Sequence, residues 1–252
     1  MYSSLFIVMT AGFLVAWIGM FAGMLLSSII TERGDRAKGA TLGFIGGLML
    51  ATVCYDLLPE SFEIGNVYIG FAGAVIGLIL GTYLDGKVKH NHINFNMAKG
   101  KKARFLKAAS LMALGIGIHN IPGGIALGSM LFFSSIKGLH LGIVLLLHGI
   151  PEGLALGVFL KEYGAGILKM LYFSFYTSMP MGISAAVGKA ISNVSPLIIS
   201  ISLAFAGGLI LYITCRETLY QARETWKGRL STIGNAFGIV LGVFFITFLH
   251  GI

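Results

Sequence analysis

The sequence predicts an all-α integral membrane protein with eight transmembrane helices in a 3+2+3 inverted-repeat arrangement and both termini outside the cell. Three observations predict this fold class: an apolar composition, a series of uninterrupted apolar stretches, and two pairs of similar segments. Hydrophobic residues make up 56% and charged residues 11% of the 252 residues. The mean hydropathy of +0.87 is typical of a multi-pass membrane protein rather than a soluble one.

The spans are recognised as stretches of about 20 mostly apolar residues between charged or polar breaks. The first, Leu5 to Ile30, is an uncharged run longer than the roughly 7 to 15 residues of a signal-peptide core, so we expect it to remain as a helix. We interpret residues 1–252 as one transmembrane domain. Its predicted helices lie at about 5–30, 39–59, 64–84, 107–132, 138–160, 167–189, 196–219 and 232–251.

The positive charges predict the orientation. Sixteen of the 18 Lys and Arg residues fall in alternate loops, and Lys137 and Lys189 fall on the other side. By the positive-inside rule the basic loops are cytoplasmic, which places both termini outside. The net charge of +8 therefore needs no nucleic-acid partner. The longest loop, 85–106, is basic and contains His90 and His92, which either hold a metal ion transiently or are incidental.

The clearest internal repeat joins spans 4 and 5. The ten residues from His119 to Gly128 match those from His148 to Gly157 at seven positions. Since neighbouring spans cross the membrane in opposite directions, this similarity indicates an inverted repeat, a construction common in secondary transporters with a substrate site near the midplane.

A weaker repeat joins spans 2 and 7. Residues 46–60 match residues 207–221 at six of fifteen positions, with Asp56 opposite Glu217. These two spans also run in opposite directions. The two repeats together predict that the first three spans mirror the last three. Chance similarity between Gly- and Leu-rich helices is the alternative for this second pair.

Ionisable residues at membrane depth are few, and each is a functional hypothesis because an unpaired charge there is costly. Asp56 and Glu217 have alternatives, since Asp56 could be an interfacial residue and Glu217 could pair at the surface with Arg216. The full set consists of Asp56, His119, His148, Glu152 and Glu217.

Spans 4 and 5 carry the strongest chemical pattern. Each histidine, His119 and His148, precedes a proline by three residues, and Pro122 and Pro151 each free a backbone carbonyl and kink the helix. Glu152 follows His148 by four residues and shares its helix face. Two imidazoles and a carboxylate suit zinc and leave coordination positions open for exchange. The alternative is that the histidines only bond the freed carbonyls.

These motifs, His119-Asn120-x-Pro-x-Gly and His148-x-x-Pro-Glu-Gly, resemble the paired signature of the ZIP (Zrt/Irt-like) divalent metal transporters. The basic loop with histidines and the Gly-Leu-Met-Leu sequence of span 2 are similar to the bacterial GufA-like branch of this family. The resemblance covers essentially the whole chain.

The resemblance implies a main metal site and a second, adjacent one. Met49, His119, His148 and Glu152 would form the main site, and Asn120, Glu152 and Glu217 would contribute to the second. Judged alone, Met49 is better explained by packing. The family implies inward transport of zinc, and often of iron, manganese or cadmium, with some members acting as elevator-type homodimers.

Two positions depart from the family pattern. Gly123 stands where the family usually has Glu, and Gly149 where it usually has Asn or Asp, so each potential site loses an oxygen ligand. Asp56 lies seven residues after Met49 and shares its helix face, so it could restore a carboxylate.

The sequence therefore predicts a multi-pass transporter of the cell membrane, plasma or bacterial inner, with the divalent ion as substrate, the lipid bilayer as surroundings and no other cofactor. We expect the ion to pass Glu60 and Asp56, bind the main site, and leave past Glu217, His90 and His92. The chain has no Walker-A sequence, so gradients would supply the energy. An intramembrane zinc enzyme is disfavoured by the absence of H-E-x-x-H, and a non-selective cation channel would not need paired histidines.

Overall fold

The structure, a computed structural model, describes residues 2–31, 34–90, 101–133, 135–191 and 195–250, and every regular element within these ranges is a helix. Helix α1 spans Tyr2–Thr31, α4 Val67–His90, α5 Lys101–Phe133, α6 Ser135–Tyr163, α7 Ile167–Ile191 and α10 Arg229–His250. The second and seventh helical units are each interrupted. Their parts are α2 (Asp35–Thr52) with α3 (Leu58–Ile64), and α8 (Pro196–Ile213) with α9 (Leu219–Thr225).

These eight long helical units confirm an all-α integral membrane protein. Seven of them are long and apolar enough to cross a membrane. The remaining unit, α7, carries the hydroxyl side chains of Ser174, Thr177, Ser178 and Ser184. All four are buried, so these polar groups face protein rather than lipid.

Helix α4 continues to His90 and α5 begins at Lys101, so both helices extend into the predicted loop 85–106. Residues 91–100 of that loop lie outside the described residues.

The helices form two bundles. One bundle contains α1, α5, α6 and α7, in which α1 packs on α6 and α7, and α5 packs on α6 and α7. The other contains α2, α3, α4, α8, α9 and α10, in which α2 packs on α10 and α4 packs on α8. The inverted repeat pairs the first three units with the last three, so α2 corresponds to α8 and α4 corresponds to α10. The contact between α2 and α10 therefore has its counterpart in the contact between α8 and α4.

Glycine lets the helices of the first bundle approach closely. A Cβ atom at Gly153 of α6 would lie against the backbone of Met20 of α1, and one at Gly19 would lie against the backbone of Leu146. If these glycines carried side chains, α1 and α6 could not lie as close together as they do. Helix packing through small residues therefore explains part of the glycine content.

Two short π-helical turns interrupt the second bundle at matching positions. One covers Val53–Leu57, between α2 and α3, and the other covers Thr214–Thr218, between α8 and α9. They coincide in the alignment of residues 46–60 with residues 207–221. Each contains an acidic residue, Asp56 in the first turn and Glu217 in the second. Single π-helical turns are frequent at functional sites.

Candidate metal site

His119, His148 and Glu152 form a compact cluster on helices α5 and α6 of the first bundle, on the side that faces the second bundle. Each offers one ligand atom, and these atoms all lie within 4.8 Å of one another. Among the described residues, this is the one group of three or more His, Cys, Asp or Glu side chains whose ligand atoms lie this close together. His119 and Glu152 are buried, and His148 is half-buried.

The local helix geometry brings the three side chains together. Helices α5 and α6 are consecutive, pack on each other and run through Pro122 and Pro151 without ending. His148 and Glu152 are four residues apart, so they occupy adjacent turns on one face of α6. His119 meets them from α5, with its ring centroid 5.5 Å from that of His148.

The distances between donor atoms suit a divalent transition metal. His119 Nε2 lies 3.4 Å and His148 Nε2 3.7 Å from the same oxygen, Oε1 of Glu152. Two bonds of about 2.1 Å in a tetrahedral zinc site separate their ligand atoms by about 3.4 Å. An ion could therefore be held among the three side chains with small adjustments.

His119 Nδ1 is buried and has no hydrogen-bond partner among the described residues. The ring does not use that nitrogen to bond a backbone carbonyl freed by proline. The finding argues against a histidine that only bonds a freed carbonyl through Nδ1, and it leaves Nε2, which faces Glu152 at 3.4 Å, as the nitrogen available to an ion.

Asp56 approaches the cluster from the second bundle. Its Oδ2 lies 4.0 Å from His148 Nδ1, and both side chains are half-buried. The π-helical turn at Val53–Leu57 carries Asp56 at this point. A carboxylate beside a ring nitrogen can orient the imidazole or take a position at the ion.

The cluster lies on the wall of a cavity of about 610 Å³ between the two bundles. Besides the clustered residues, the lining includes Asp56, Glu60 and Lys137. Lys137 belongs to the side of the protein with few basic residues, and Glu60 lies near the matching end of the second helical unit. The cavity thus leads from the cluster toward the face opposite the basic loops.

Of the other predicted ligands, Asn120 lies beside this site, whereas Met49 is packed in the apolar interior of the second bundle. Asn120 lines the cavity, and its Nδ2 donates to the backbone oxygen of Thr177 at 2.9 Å, which turns the amide nitrogen toward α7. Its carbonyl oxygen is the atom suited to a cation. Met49 is buried, and its sulfur accepts a hydrogen bond from Thr214 Oγ1 at 3.8 Å.

Glu217 belongs to a separate polar cluster. It is buried, and its Oε1 lies 3.9 Å from Lys107 Nζ. Lys107 also pairs with Asp85, whose other oxygen accepts a hydrogen bond from Tyr212 OH at 3.1 Å. The predicted second site with Asn120 and Glu152 stays a prediction.

The residues predicted along the path are partly described. Glu60 lines the cavity, as stated above, and its part in metal entry stays a prediction. His92 lies outside the described residues, and of His90 only the helical backbone is described. Their part in metal release stays a prediction.

Gly123 and Gly149, the two positions at which the chain departs from the family pattern, have different surroundings. A Cβ at Gly123 would meet only side-chain carbons, the nearest being Leu145 Cδ2 at 3.2 Å and Met181 Cε at 3.5 Å. A Cβ at Gly149 would meet backbone, with Met20 N at 3.3 Å. Gly123 therefore has room for a side chain that Gly149 lacks, because flexible side-chain ends can yield and a packed helix backbone cannot.

Sequence reasoning missed His140, which lines the same cavity from α6. His140 precedes His148 by eight residues, about two helical turns, so helix periodicity could have found it. It also missed Asp85 and Lys107, which lie on different helices and come together only in the folded chain.

Comparison with known proteins gives a consistent result. Residues 84–250 match the protein family described as ZIP zinc transporter. The chain is similar to the zinc transporters ZupT of Escherichia fergusonii, Salmonella heidelberg and Salmonella newport. It is 27% identical to each over 220 residues, which cover 84% of this chain and 85% of each relative.

Proposed function

The chain belongs to the ZIP family of zinc transporters, and we propose that it carries zinc into the cytoplasm through a site formed by His119, His148 and Glu152. Family membership makes it a multi-pass membrane transporter of divalent metal ions rather than an enzyme. The proposal adds the residues of the site, the direction of transport and the path.

The observation that carries the proposal is the spacing of three donor atoms within 4.8 Å beside a cavity that leads to one face of the membrane. Imidazole nitrogens bind zinc well, and the single carboxylate supplies a negative charge. Three protein ligands leave room for water or an exchanging ligand, which a site that must release its ion requires.

The remaining candidate ligands have supporting roles. We assign Asp56 to the outer edge of the site, where it lies 4.0 Å from His148, and the thioether of Met49 to the inner edge. The carbonyl oxygen of Asn120 is a further ligand in this proposal. Iron, manganese and cadmium are alternative cargoes, since imidazole and carboxylate bind all of these ions with different strengths.

The path follows from the cavity and the charges. The ion enters past Glu60 and Asp56 and exchanges its water at the histidines. It then moves past Glu217 toward the basic face, where His90 and His92 receive it. The excess of Lys and Arg in the loops of that face supports its assignment to the cytoplasm, with both termini outside. We place the protein in the cell membrane, and the family resemblance favours a homodimer.

Uptake of radioactive zinc into proteoliposomes tests the proposal. We expect saturable uptake by the wild-type protein and a loss of at least about 100-fold in Glu152→Gln, because the amide keeps the shape but removes the charge that attracts the ion. His119→Ala should have a similar effect. Glu224→Gln, which changes an exposed acid on α9, is the matched control and should transport normally.

Competition by other ions separates a metal carrier from a non-selective channel. Excess cadmium should suppress zinc uptake, whereas excess sodium or magnesium should not, because only the former suits imidazole ligands. Uptake no greater than that of empty liposomes, from a folded protein that binds zinc, would contradict the carrier mechanism. Normal uptake by Glu152→Gln would contradict the assigned site.

A further inference from the structure

We propose that Lys107 is a tethered cation that closes the cytoplasmic end of the metal path, and that the exiting metal ion displaces it from Glu217. Its ammonium group lies between two carboxylates of the second bundle, pairing with Asp85 and lying 3.9 Å from Glu217 Oε1. The inference deepens the proposed function, since it assumes that Glu217 receives the metal ion.

The position of Lys107 makes it a bridge between the bundles. Lys107 is on α5 of the first bundle, while Asp85 is on α4 and Glu217 on the π-helical turn after α8, both in the second. Movement of one bundle past the other must therefore break these contacts. Because the three side chains are largely shielded from water, separating them without a replacement partner leaves buried charges uncompensated.

Neighbouring groups hold the acidic side of this bridge in place. Tyr212 OH donates to Asp85 Oδ2 at 3.1 Å, and Arg216 Nε lies 3.5 Å from the same oxygen. Asp85 is thus oriented by residues of α8 and the following turn. Its second oxygen is left to receive Lys107.

A second ion pair crosses between the bundles on the same face. Lys38 Nζ of α2 lies 2.8 Å from Glu162 Oε1 of α6. Both lysines belong to the basic side of the protein, and the cavity beside His119 leads to the other side. The structure therefore combines an open outer path with a cytoplasmic face held by ion pairs.

Between the metal site and this face, an apolar cluster fills the interior. Residues of both bundles share the cluster, among them Leu42, Ile45, Ala109, Met112, Phe159 and Ile213. Lys107 precedes His119 by twelve residues, which is about 18 Å along the helix axis. Ions cannot cross such a distance of packed apolar side chains, so the bundles must separate here for release.

A displacement step stabilises the open state once the bundles have separated. In that state Glu217 can be neutralised either by the ammonium group of Lys107 or by a divalent ion that reaches it. The divalent ion carries twice the charge, so its arrival weakens the hold of Glu217 on Lys107. No covalent bond is made or broken, and Lys107 leaves both Glu217 and Asp85 and swings toward the solvent.

Accessibility of an introduced thiol tests the closure. The background is Cys54→Ser with Cys215→Ser, and the reporter is Ala109→Cys, because Ala109 is fully buried in the apolar cluster. Inside-out membrane vesicles present the cytoplasmic face to a membrane-impermeant maleimide. Without metal, adding Lys107→Met should raise the rate of thiol modification by at least about fivefold by shifting the population toward the open state.

The controls separate charge from packing. Lys169→Met removes a lysine on the same face that contacts Tyr163 within the first bundle, and it should leave the rate unchanged. Asp85→Asn should raise the rate as Lys107→Met does, without altering α5. Lys107→Arg keeps the charge and should stay near the starting rate. The proposed closure would be overturned if the rate were the same with and without Lys107→Met. It would also be overturned if Lys107→Met and Lys107→Arg raised the rate equally.

Addition of metal tests the displacement. Zinc should accelerate modification of the reporter thiol in the background protein, whereas the same concentration of magnesium should not. Binding of zinc to the thiol itself would slow modification, so it could not imitate the expected result. No acceleration by zinc would overturn the displacement step. Since the closure arm uses no metal, it distinguishes failure of the gate from failure of zinc transport.

Discussion

Asp56 and Glu217 occupy the same place in two matching π-helical turns, each as the fourth of five residues. Asp56 lies 4.0 Å from His148, and Glu217 lies 3.9 Å from Lys107. In both cases the acid belongs to the second bundle and the basic partner to the first. The inverted repeat thus provides one carboxylate toward each face of the membrane, at a helix irregularity that turns it toward the other bundle.

Asp56→Asn should weaken zinc binding by about tenfold, the lower end of the range for residues that support a metal site. The asparagine keeps the size of the side chain but loses the charge that faces His148. Competition with a fluorescent zinc chelator in detergent measures the affinity. Asp35→Asn, at the exposed start of α2, is the control. Unchanged affinity and transport in Asp56→Asn would rule out a role for this carboxylate.

Gly123→Glu should be tolerated and should increase zinc affinity by about tenfold or more, because it adds a carboxylate to a site with one. A Cβ at this position meets only the ends of Leu145 and Met181, and the residue lines the cavity. The same variant should slow zinc release and so lower the maximal uptake rate. Binding competition and proteoliposome uptake measure the two effects. Equal affinity in the variant and wild type would show that the new carboxylate does not reach the ion.

Gly149→Asp should instead destabilise the protein. Its Cβ would stand 3.3 Å from the backbone nitrogen of Met20 and 3.5 Å from Gly19 Cα, so the side chain presses on helix α1. Overpacking of this kind costs about 1 to 3 kcal/mol, which corresponds to a Tm lower by about 5 °C. A thermal unfolding assay in detergent, with Gly123→Glu as the comparison, checks the difference. A Tm equal to that of the wild type would show that α1 can move aside.

The sequence was sufficient to predict the helical class and the cluster at His119, His148 and Glu152. Apolar runs bounded by charges identify spans, and helical spacing of four residues together with a repeated motif brings the three side chains to one place. Family membership confirms the class of transporter. The spans and the cluster depend on the spacing of residues along the chain, which can be read from the sequence alone.

Other features depend on the folded arrangement and could not be predicted. The π-helical turns at Val53–Leu57 and Thr214–Thr218 need one extra residue per turn, and no residue type in an apolar helix marks that insertion. The pairing of Lys107 with Asp85 depends on how α4 and α5 cross. Polar residues near span ends have many available partners, and only packing selects among them.

Met49→Leu should reduce cadmium uptake more than zinc uptake. Leucine has a similar volume, so packing in the buried cluster is preserved, but the soft thioether sulfur is lost. We expect the ratio of cadmium to zinc uptake to fall by about threefold or more, since sulfur ligands favour the softer ion. Parallel uptake assays with the two ions give the ratio. An unchanged ratio would leave Met49 with a packing role only.

Zinc binding should weaken as the pH falls from 7.5 to 5.5. Metal ions bind an imidazole nitrogen that carries no proton, so protons and zinc compete for the histidine ligands. The sign is fixed by this competition: binding is strongest at the higher pH and is lost progressively as the pH falls. The affinity should fall by at least about tenfold across the range. Chelator competition at each pH measures it, with the chelator calibrated separately. In His148→Asn, one protonating ligand is gone, so the dependence on pH should be shallower than in the wild type. A flat profile in the wild type would contradict histidine ligation.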